Sequence, residues 1–275
     1  MSNGVQMGSA PFNILSAVAI LEAGVIEQQV AIQTADGTID ALLVRPDTTE
    51  ALPGVIDLTD GLGFRAPFMD QSKRIAEHGY VVLTPNIFYR TGKPPVFAFE
   101  PDFASERTVN RFREITGPLT PAAMTRDGGA YVDYLAAQPF VGPGPMGVVG
   151  FCFAGKFALR VAVAKPDRIG AAASFHGGGL VTDTDQSPHL VLPHVKARLY
   201  FGHAENDQGM PADAIAKLET ALTAWGGIYE SEMYVGARHG WMIPGGKVYA
   251  PAQAERGFGK LRALLDETLQ SPIAA

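Results

Sequence analysis

The chain of 275 residues contains a single cysteine, Cys152, so it cannot form a disulfide within itself. This excludes a disulfide-stapled secreted fold and leaves the thiol for packing or for chemistry. Positive charge is also scarce, because 22 Lys and Arg face 28 Asp and Glu, for a net charge of -6. No run of basic residues could follow a phosphate backbone, and we expect no nucleic-acid partner.

The chain also lacks a hydrophobic run long enough for a membrane span. The apolar stretch at residues 14–26 is shorter than the about 20 residues that a span requires. No Lys or Arg precedes Arg45, whereas a secretory signal begins with positive charge. We predict a cytoplasmic protein without a membrane partner, as a monomer or a small homo-oligomer. Residues 1–28 are predicted to form a helical extension that covers the rest of the chain or a partner subunit.

Apolar residues make up 47% of the sequence and charged residues 18%, a balance that can build a large buried core. Two β-branched runs at 29–34 and 39–45 flank Asp36-Gly37, which predicts an antiparallel hairpin. Beyond residue 53, apolar runs alternate with stretches of helical spacing. The predicted strands are 54–58, 80–84, 146–149, 169–175, 197–201 and 229–235, and the predicted helices are 69–78, 121–137, 155–165, 211–225 and 252–269. This alternation is typical of a mostly parallel central sheet with helices on both faces.

A long connection at residues 85–121 has no clear period and is rich in Pro and aromatic residues. Loops of this length are usually functional. We predict that it forms a cap or a wall of a pocket.

The strongest local motif is GVVGFCFAG at residues 147–155, a buried strand that runs into Cys152 and then into a helix. Glycine and alanine at Gly150, Ala154 and Gly155 suit a tight, strained turn that presents a nucleophile. At a helix N-terminus the free amides and the dipole favour a thiolate. The alternative is a structural cysteine, but the surrounding motif favours chemistry.

A thiol nucleophile needs a base and an orienting acid, and both follow predicted strands. His239 comes just after the strand at 229–235, and Asp207 comes after the strand at 197–201, with Glu205 as the reserve acid. A carboxylate in this place can fix the tautomer of the imidazole. The chain order of nucleophile, acid and histidine is the order that such a sheet requires.

These residues resemble the dienelactone hydrolases, also called carboxymethylenebutenolidases, a family of the α/β-hydrolase superfamily. The resemblance covers the chain from about Val30 onward and rests on GFCF at 150–153, END at 205–207 followed by Pro211, and GARH at 236–239. It implies an α/β-hydrolase fold in a single domain of residues 29–275, with Cys152, Asp207 and His239 as a triad. It also implies hydrolysis of a small lactone or ester through a thioester acyl-enzyme.

The family carries a Glu after its first central parallel strand that helps to form the thiolate, and Asp60 is similar to it but one methylene shorter. The oxyanion is expected to accept from the amide of Phe153 and from an amide near Gly61 or Leu62. The family also binds a substrate carboxylate through an Arg shortly after the catalytic histidine. Here Trp241 follows instead and predicts a more apolar pocket.

Other pocket candidates are Arg107 and Arg111 in the long connection and His176 in the sequence FHGGG at 175–179. The histidines at 176, 189, 194 and 203 match no zinc spacing, and no second cysteine is present, so we expect no metal and no other cofactor. The rival to an enzyme is a hydrolase-like protein that binds a small ligand or senses oxidants through Cys152. Replacement of Cys152 by Ala distinguishes the two.

Overall fold

The computed structural model describes residues 20–22 and 24–270. Its strands arise from the short β-branched and apolar runs of the sequence, and five-residue strands such as Gly54–Leu58 are buried along their whole length. The strands are β1 Ile20–Glu22, β2 Val25–Thr34, β3 Gly37–Pro46, β4 Gly54–Leu58, β5 Val81–Pro85, β6 Met146–Phe151, β7 Ile169–Phe175, β8 Arg198–Asn206 and β9 Tyr229–Arg238. The helices are α1 Ala66–Ala76, α2 Glu106–Thr116, α3 Pro121–Ala136, α4 Gly155–Ala164, α5 Ala212–Trp225 and α6 Pro251–Leu269, with short 3₁₀ helices at Cys152–Ala154 and Pro188–His194.

The described strands form one sheet in the order β1-β2-β3-β5-β4-β6-β7-β8-β9. Strands β1, β2 and β3 pair antiparallel, β3 joins β5 antiparallel, and all pairs from β5 to β9 are parallel. The chain moves outward from β4 to β5 and then returns to place β6 on the other side of β4. In open α/β sheets, the crevice at such a switch point is where ligands bind. The loops after β4 and β6 therefore define the expected position of a site.

Helices cover both faces of the sheet, as predicted. The helices α3, α4 and α5 contribute Tyr131, Phe157 and Leu218 to a core on one face. On the other face α1 and α6 contribute Phe68 and Leu265 to a second core. Both faces of the central strands are thus buried, which accounts for their continuous apolar sequences.

Three sequence expectations need correction. Most of the predicted helical extension, residues 1–19 and 23, lies outside the described residues, but residues 20–22 and 25–28 are strand rather than helix. The hairpin forms, although its two-residue turn is 35–36, one position before the predicted turn. The long connection contains α2, whose buried residues are Thr108 and Ile115. Its apolar residues Val109, Phe112 and Ile115 recur at helical spacing, but they are few among polar and charged neighbours, and the helix was not predicted.

Within the described residues, no helix is both long enough and apolar enough to cross a membrane.

Candidate active site

Cys152 lies on a sharp turn between β6 and α4, at the sheet switch point. Its φ of 53° is in the left-handed region, which is rare for a residue with a side chain. Gly150 tolerates this turn because it has no Cβ: a Cβ there would lie 2.1 Å from the carbonyl oxygen of Ala154. The glycine and alanine of the motif are therefore steric requirements of the turn, and the turn raises the thiol above the end of the sheet.

The turn brings together the three side chains that the sequence predicted as partners. The Sγ of Cys152 is 3.0 Å from Nε2 of His239, and Nδ1 of His239 is 2.6 Å from Oδ2 of Asp207. The other carboxylate oxygen of Asp207 accepts the amide N–H of Gly209 at 2.7 Å. Each of the three follows a parallel strand, β6, β8 or β9, so all lie at the same edge of the sheet. Glu205 points elsewhere and accepts the amide N–H of Gly236.

The electrostatics of this chain favour a charged imidazole. Burial alone would lower the pKa of His239, but hydrogen bonds with Asp207 and with the Cys152 sulfur outweigh it and raise the pKa to about 10. An imidazolium 3.0 Å from sulfur favours the thiolate form of the cysteine. The arrangement can therefore place a positive charge directly beside the sulfur of Cys152.

The turn after β7 holds the backbone of the thiol residue. The amide N–H of Cys152 donates to Nδ1 of His176 at 3.1 Å, and the carbonyl of Cys152 accepts the N–H of Gly178 at 3.1 Å. His176 is 1% exposed, and its Nε2 has no hydrogen-bond partner within residues 20–22 and 24–270. Burial, and then the charge of His239, lower the pKa of His176 well below its usual value, so the ring is neutral. His176 thus lies beside the Cys152 backbone rather than on an open pocket wall.

The loop after β4 is organised by Asp60. Its carboxylate accepts two hydrogen bonds from Arg65, at 2.5 and 2.7 Å, and accepts the amide N–H of Leu62 at 2.9 Å. No hydrogen bond among the described residues joins Asp60 to Cys152. The amide of Leu62 is engaged by this carboxylate, so of the expected oxyanion donors Phe153 and Gly61 remain. The role of Asp60 in forming the thiolate stays a prediction.

Aromatic side chains and one lysine lie beside the nucleophile. The ring of Phe153 contacts Phe112 and Phe88, with centroid distances of 5.9 and 6.2 Å. The amine of Lys156, on the first turn of α4, lies 4.3 Å from the centroid of the Phe153 ring. No carboxylate among the described residues pairs with it, and burial lowers its pKa while the charge of Cys152 raises it. The sequence analysis missed Lys156, although its position four residues after the thiol was a usable signal.

The structure does not bring the predicted pocket residues Arg107, Arg111 and Trp241 together beside Cys152. Arg107 is exposed and stacks on Phe99 at 3.8 Å, and Arg111 donates to the carbonyl of Val96 and pairs with Glu114. Trp241 is 0% exposed, so it belongs to the core and does not line an open pocket. It stacks on Tyr234 and touches the ring of His176. Trp241 thus packs beneath the site against His176, because burial of its large apolar ring is more favourable than exposure to water.

A parallel sheet with a strained strand-to-helix turn, a thiol at its tip, and an acid and a histidine after later strands define an α/β-hydrolase. The model of the dienelactone hydrolase family matches residues 39–269, and the chain belongs to this family. Membership makes it a hydrolase of the ester and lactone class.

Similar proteins agree with this assignment. A Synechocystis sp. protein with the provisional name carboxymethylenebutenolidase is 26% identical over 235 residues, which cover 84% of this chain and 93% of the relative. A carboxymethylenebutenolidase of Rhodococcus opacus is 26% identical over 189 residues, 68% of this chain and 69% of the relative. A Klebsiella pneumoniae crystal structure provisionally described as a dienelactone hydrolase has a TM-score of 0.79 at 21% identity, and covers 88% of this chain and 99% of that one. At that identity the structural likeness concerns the fold.

Proposed function

We propose that this chain hydrolyses small lactones or esters with Cys152 as nucleophile, His239 as acid and base, and Asp207 as the orienting carboxylate. The observation that carries the proposal is the unbroken line of contacts from Sγ to Nε2 at 3.0 Å and from Nδ1 to Oδ2 at 2.6 Å. A cysteine buried for packing would need neither partner. A strained turn at the nucleophile adds support, because such strain clusters at active sites.

In the first half of the reaction, the Cys152 thiolate attacks the carbonyl carbon and forms a carbon–sulfur bond. The tetrahedral intermediate then collapses, the carbon–oxygen bond to the leaving group breaks, and His239 gives its Nε2 proton to the departing oxygen. A thioester remains on Cys152. With a lactone, the released alcohol or enol stays attached to the acyl chain.

In the second half, neutral His239 takes a proton from water, and the hydroxide attacks the thioester. The carbon–sulfur bond breaks, the acid is released, and the thiolate–imidazolium pair is restored. Asp207 keeps Nδ1 protonated throughout, so that Nε2 faces the sulfur and the water. This chemistry needs no metal and no organic cofactor.

Negative charge on the carbonyl oxygen would be stabilised by the backbone amide of Phe153. The first amides of a helix lack carbonyl partners within the helix, and Phe153 lies in the 3₁₀ turn that leads into α4. Gly61, in the loop after β4, is the candidate for a second donor. The Phe112 ring packs close against it, since a Cβ at Gly61 would lie 2.5 Å from that ring. An aromatic wall of this kind fits a small, flat acyl group.

We also infer that the protein acts in the cytoplasm, where a lone free thiol stays reduced, as a monomer or small homo-oligomer without membrane or nucleic-acid partners.

The test is hydrolysis of dienelactone isomers and p-nitrophenyl acetate by the purified full chain, compared with Cys152→Ala, His239→Ala and Asp207→Asn. Rapid-quench mass spectrometry of the wild type would detect the acyl group on the only cysteine. We expect loss of turnover in the first two variants by about 10³-fold or more. His194→Asn is the matched control, because His194 is exposed on a different helix.

Equal turnover by Cys152→Ala would rule out the cysteine mechanism. A wild type that cleaves none of the panel, yet loses its thiol to dilute peroxide at neutral pH, would favour the oxidant-sensing alternative.

A further inference from the structure

The turn after β7, residues 176–179, contacts Cys152 and His239 of the proposed triad and is linked to Asp207 through Gly209. His176 and Gly178 bind the N–H and the carbonyl of Cys152. A Cβ on Gly178 would lie 3.7 Å from Cε1 of His239, so this backbone also supports the catalytic ring. The N–H of Gly179 donates to the carbonyl of Gly209, whose own N–H binds Asp207.

Within this turn, His176 has features that packing alone does not require. Its φ is 39°, a backbone conformation that histidine rarely adopts, and a glycine would relieve it. Its Nε2 is buried without a partner, a loss that an apolar ring would avoid. His176 therefore has an unfavourable backbone conformation and a buried nitrogen without a partner. In the described structure its side chain makes one hydrogen bond, which it accepts from the Cys152 amide.

The direction of that bond fixes the chemistry of the ring. An amide N–H can only donate, so Nδ1 of His176 must carry the lone pair, and the proton must be on Nε2. Protonation of Nδ1 would remove the acceptor. The His239 ring lies 5.4 Å away, centroid to centroid, and its charge opposes a second positive charge. The neighbouring Phe151 and Trp241 rings offer no charge that would stabilise one.

We propose that His176 is a positioning residue for the nucleophile: as a permanently neutral acceptor, it holds the Cys152 amide and thereby fixes the left-handed turn that aims the sulfur at His239. The inference rests on the proposed role of Cys152. Without the acceptor, the amide of Cys152 is left unpaired and the turn relaxes, which moves the sulfur away from Nε2. The loss of activity should then appear in kcat, which depends on the geometry of proton transfer, and not in KM.

Three variants distinguish the effect of the hydrogen-bond acceptor from the effects of the backbone conformation and of the side-chain volume. His176→Asn keeps an oxygen acceptor at the place of Nδ1 and suits a positive φ, because Asn enters the left-handed region readily. His176→Gly relieves the backbone but removes the acceptor. His176→Leu has nearly the shape of Asn and also lacks the acceptor, so it decides the matter if the glycine variant does not fold.

The readouts are kcat and KM for p-nitrophenyl acetate, and the pH dependence of iodoacetamide alkylation, which reports the thiolate of the only cysteine. A displacement of about 1 Å at a reacting group can cost about 10²-fold in rate. We therefore expect His176→Gly and His176→Leu to lose about 10- to 100-fold in kcat with KM within about 2-fold, and to need a higher pH for half-maximal alkylation. His176→Asn should stay within about 3-fold of wild type in both assays.

Wild-type kcat and alkylation profiles in folded His176→Gly or His176→Leu would overturn the inference, and so would an equal loss in His176→Asn. Either result, with Cys152→Ala still inactive, leaves the proposed function standing. Activity in Cys152→Ala would instead remove the function itself.

Discussion

Gly155 and Ser174 approach so closely that a Cβ built on the glycine would lie 2.3 Å from the serine hydroxyl oxygen. The same Cβ would lie 2.7 Å from the Cα of Gly177. The first residue of α4 is thus in direct contact with the end of β7. This contact joins the turn that carries the thiol to the turn that holds its backbone.

We predict that Gly155→Ala destabilises the fold by about 1–3 kcal/mol, because backbone on two elements must separate to admit a methyl group. Activity should fall with it, since the displaced residues support Cys152. Urea unfolding and p-nitrophenyl acetate turnover measure the two effects. Gly259→Ala is the control: it lies in α6 with open space around its Cα, and the same change should stabilise by up to about 1 kcal/mol. Equal midpoints for the two variants would contradict the close contact.

We expect the Asp207–His239 pair to control how readily the thiol of Cys152 reacts. The pKa of His239 is raised to about 10, so the imidazolium is present below that pH and is lost as the pH rises through it. Asp207→Asn removes a charge that holds the imidazolium, and the His239 pKa should fall. Alkylation of Cys152 should then need a pH higher by about 1 unit or more, and turnover should fall by about 10²- to 10⁴-fold. Asp183→Asn, at a fully exposed carboxylate, should change neither quantity. An unshifted alkylation curve in Asp207→Asn would show that the carboxylate does not control the thiolate.

Asp57, inside β4, should make stability depend on pH. Burial raises its pKa to about 7 despite hydrogen bonds from Ser72 and Gln71, against an ordinary value of 3.8. Between about pH 4 and 7, the folded chain keeps a proton that the unfolded chain has released. The free energy of unfolding should therefore fall across that window as the pH rises, by up to about 4 kcal/mol at about 1.4 kcal/mol per unit.

Asp57→Asn should remove this dependence and make the protein more stable than wild type at pH 8. An amide can accept from Gln71 and donate to the Ser72 hydroxyl, as a protonated carboxyl does. Urea midpoints at pH 5 and pH 8 measure the change, with the exposed Asp47→Asn as control. If the variant is less stable than wild type at both pH values by the same amount, the carboxyl is ionised in the folded state.

Lys156 should favour substrates with a negative charge. Its amine lies above the Phe153 ring and has no carboxylate partner among the described residues. Lys156→Met should raise KM for an ester bearing a free carboxylate by about 10-fold, which corresponds to about 1.4 kcal/mol, and leave a neutral ester of the same length unchanged. Lys165→Met, at the other end of α4, is the control. A similar change for both esters would assign Lys156 to packing.

The proximity of Cys152, Asp207 and His239 could be predicted from the sequence because each follows a parallel strand, and the carboxyl ends of such strands meet at one edge. The position of each residue after a strand was therefore enough to predict that the three side chains are close in space. The role of His176 was not predictable in this way, since it depends on which nitrogen faces the Cys152 amide. The Asp60–Arg65 pair was also missed, because a resemblance to a family residue says nothing about a new local partner.

Burial explains the two remaining differences. Trp241 lies two residues after His239, and that position suggested a pocket wall, yet the turn directs its ring into the core. The helix α2 was not predicted because only three of its eleven residues are apolar, although these three lie at helical spacing. An apolar pattern in a sequence reports the buried faces of helices and strands. It says little about a mostly polar helix such as α2, or about the direction in which a turn points a single side chain such as Trp241.

The strand that carries His239, β9, is the last strand of the sheet and pairs with β8 alone. Cys152, in contrast, follows β6, which pairs with β4 on one side and with β7 on the other. Edge elements open at lower free energy than the centre of a fold. On warming or in mild denaturant, we expect His239 to separate from Cys152 while most of the sheet is still intact. If His239 has the proposed role, activity should then be lost at the edge of the sheet first, before circular dichroism detects a change in secondary structure.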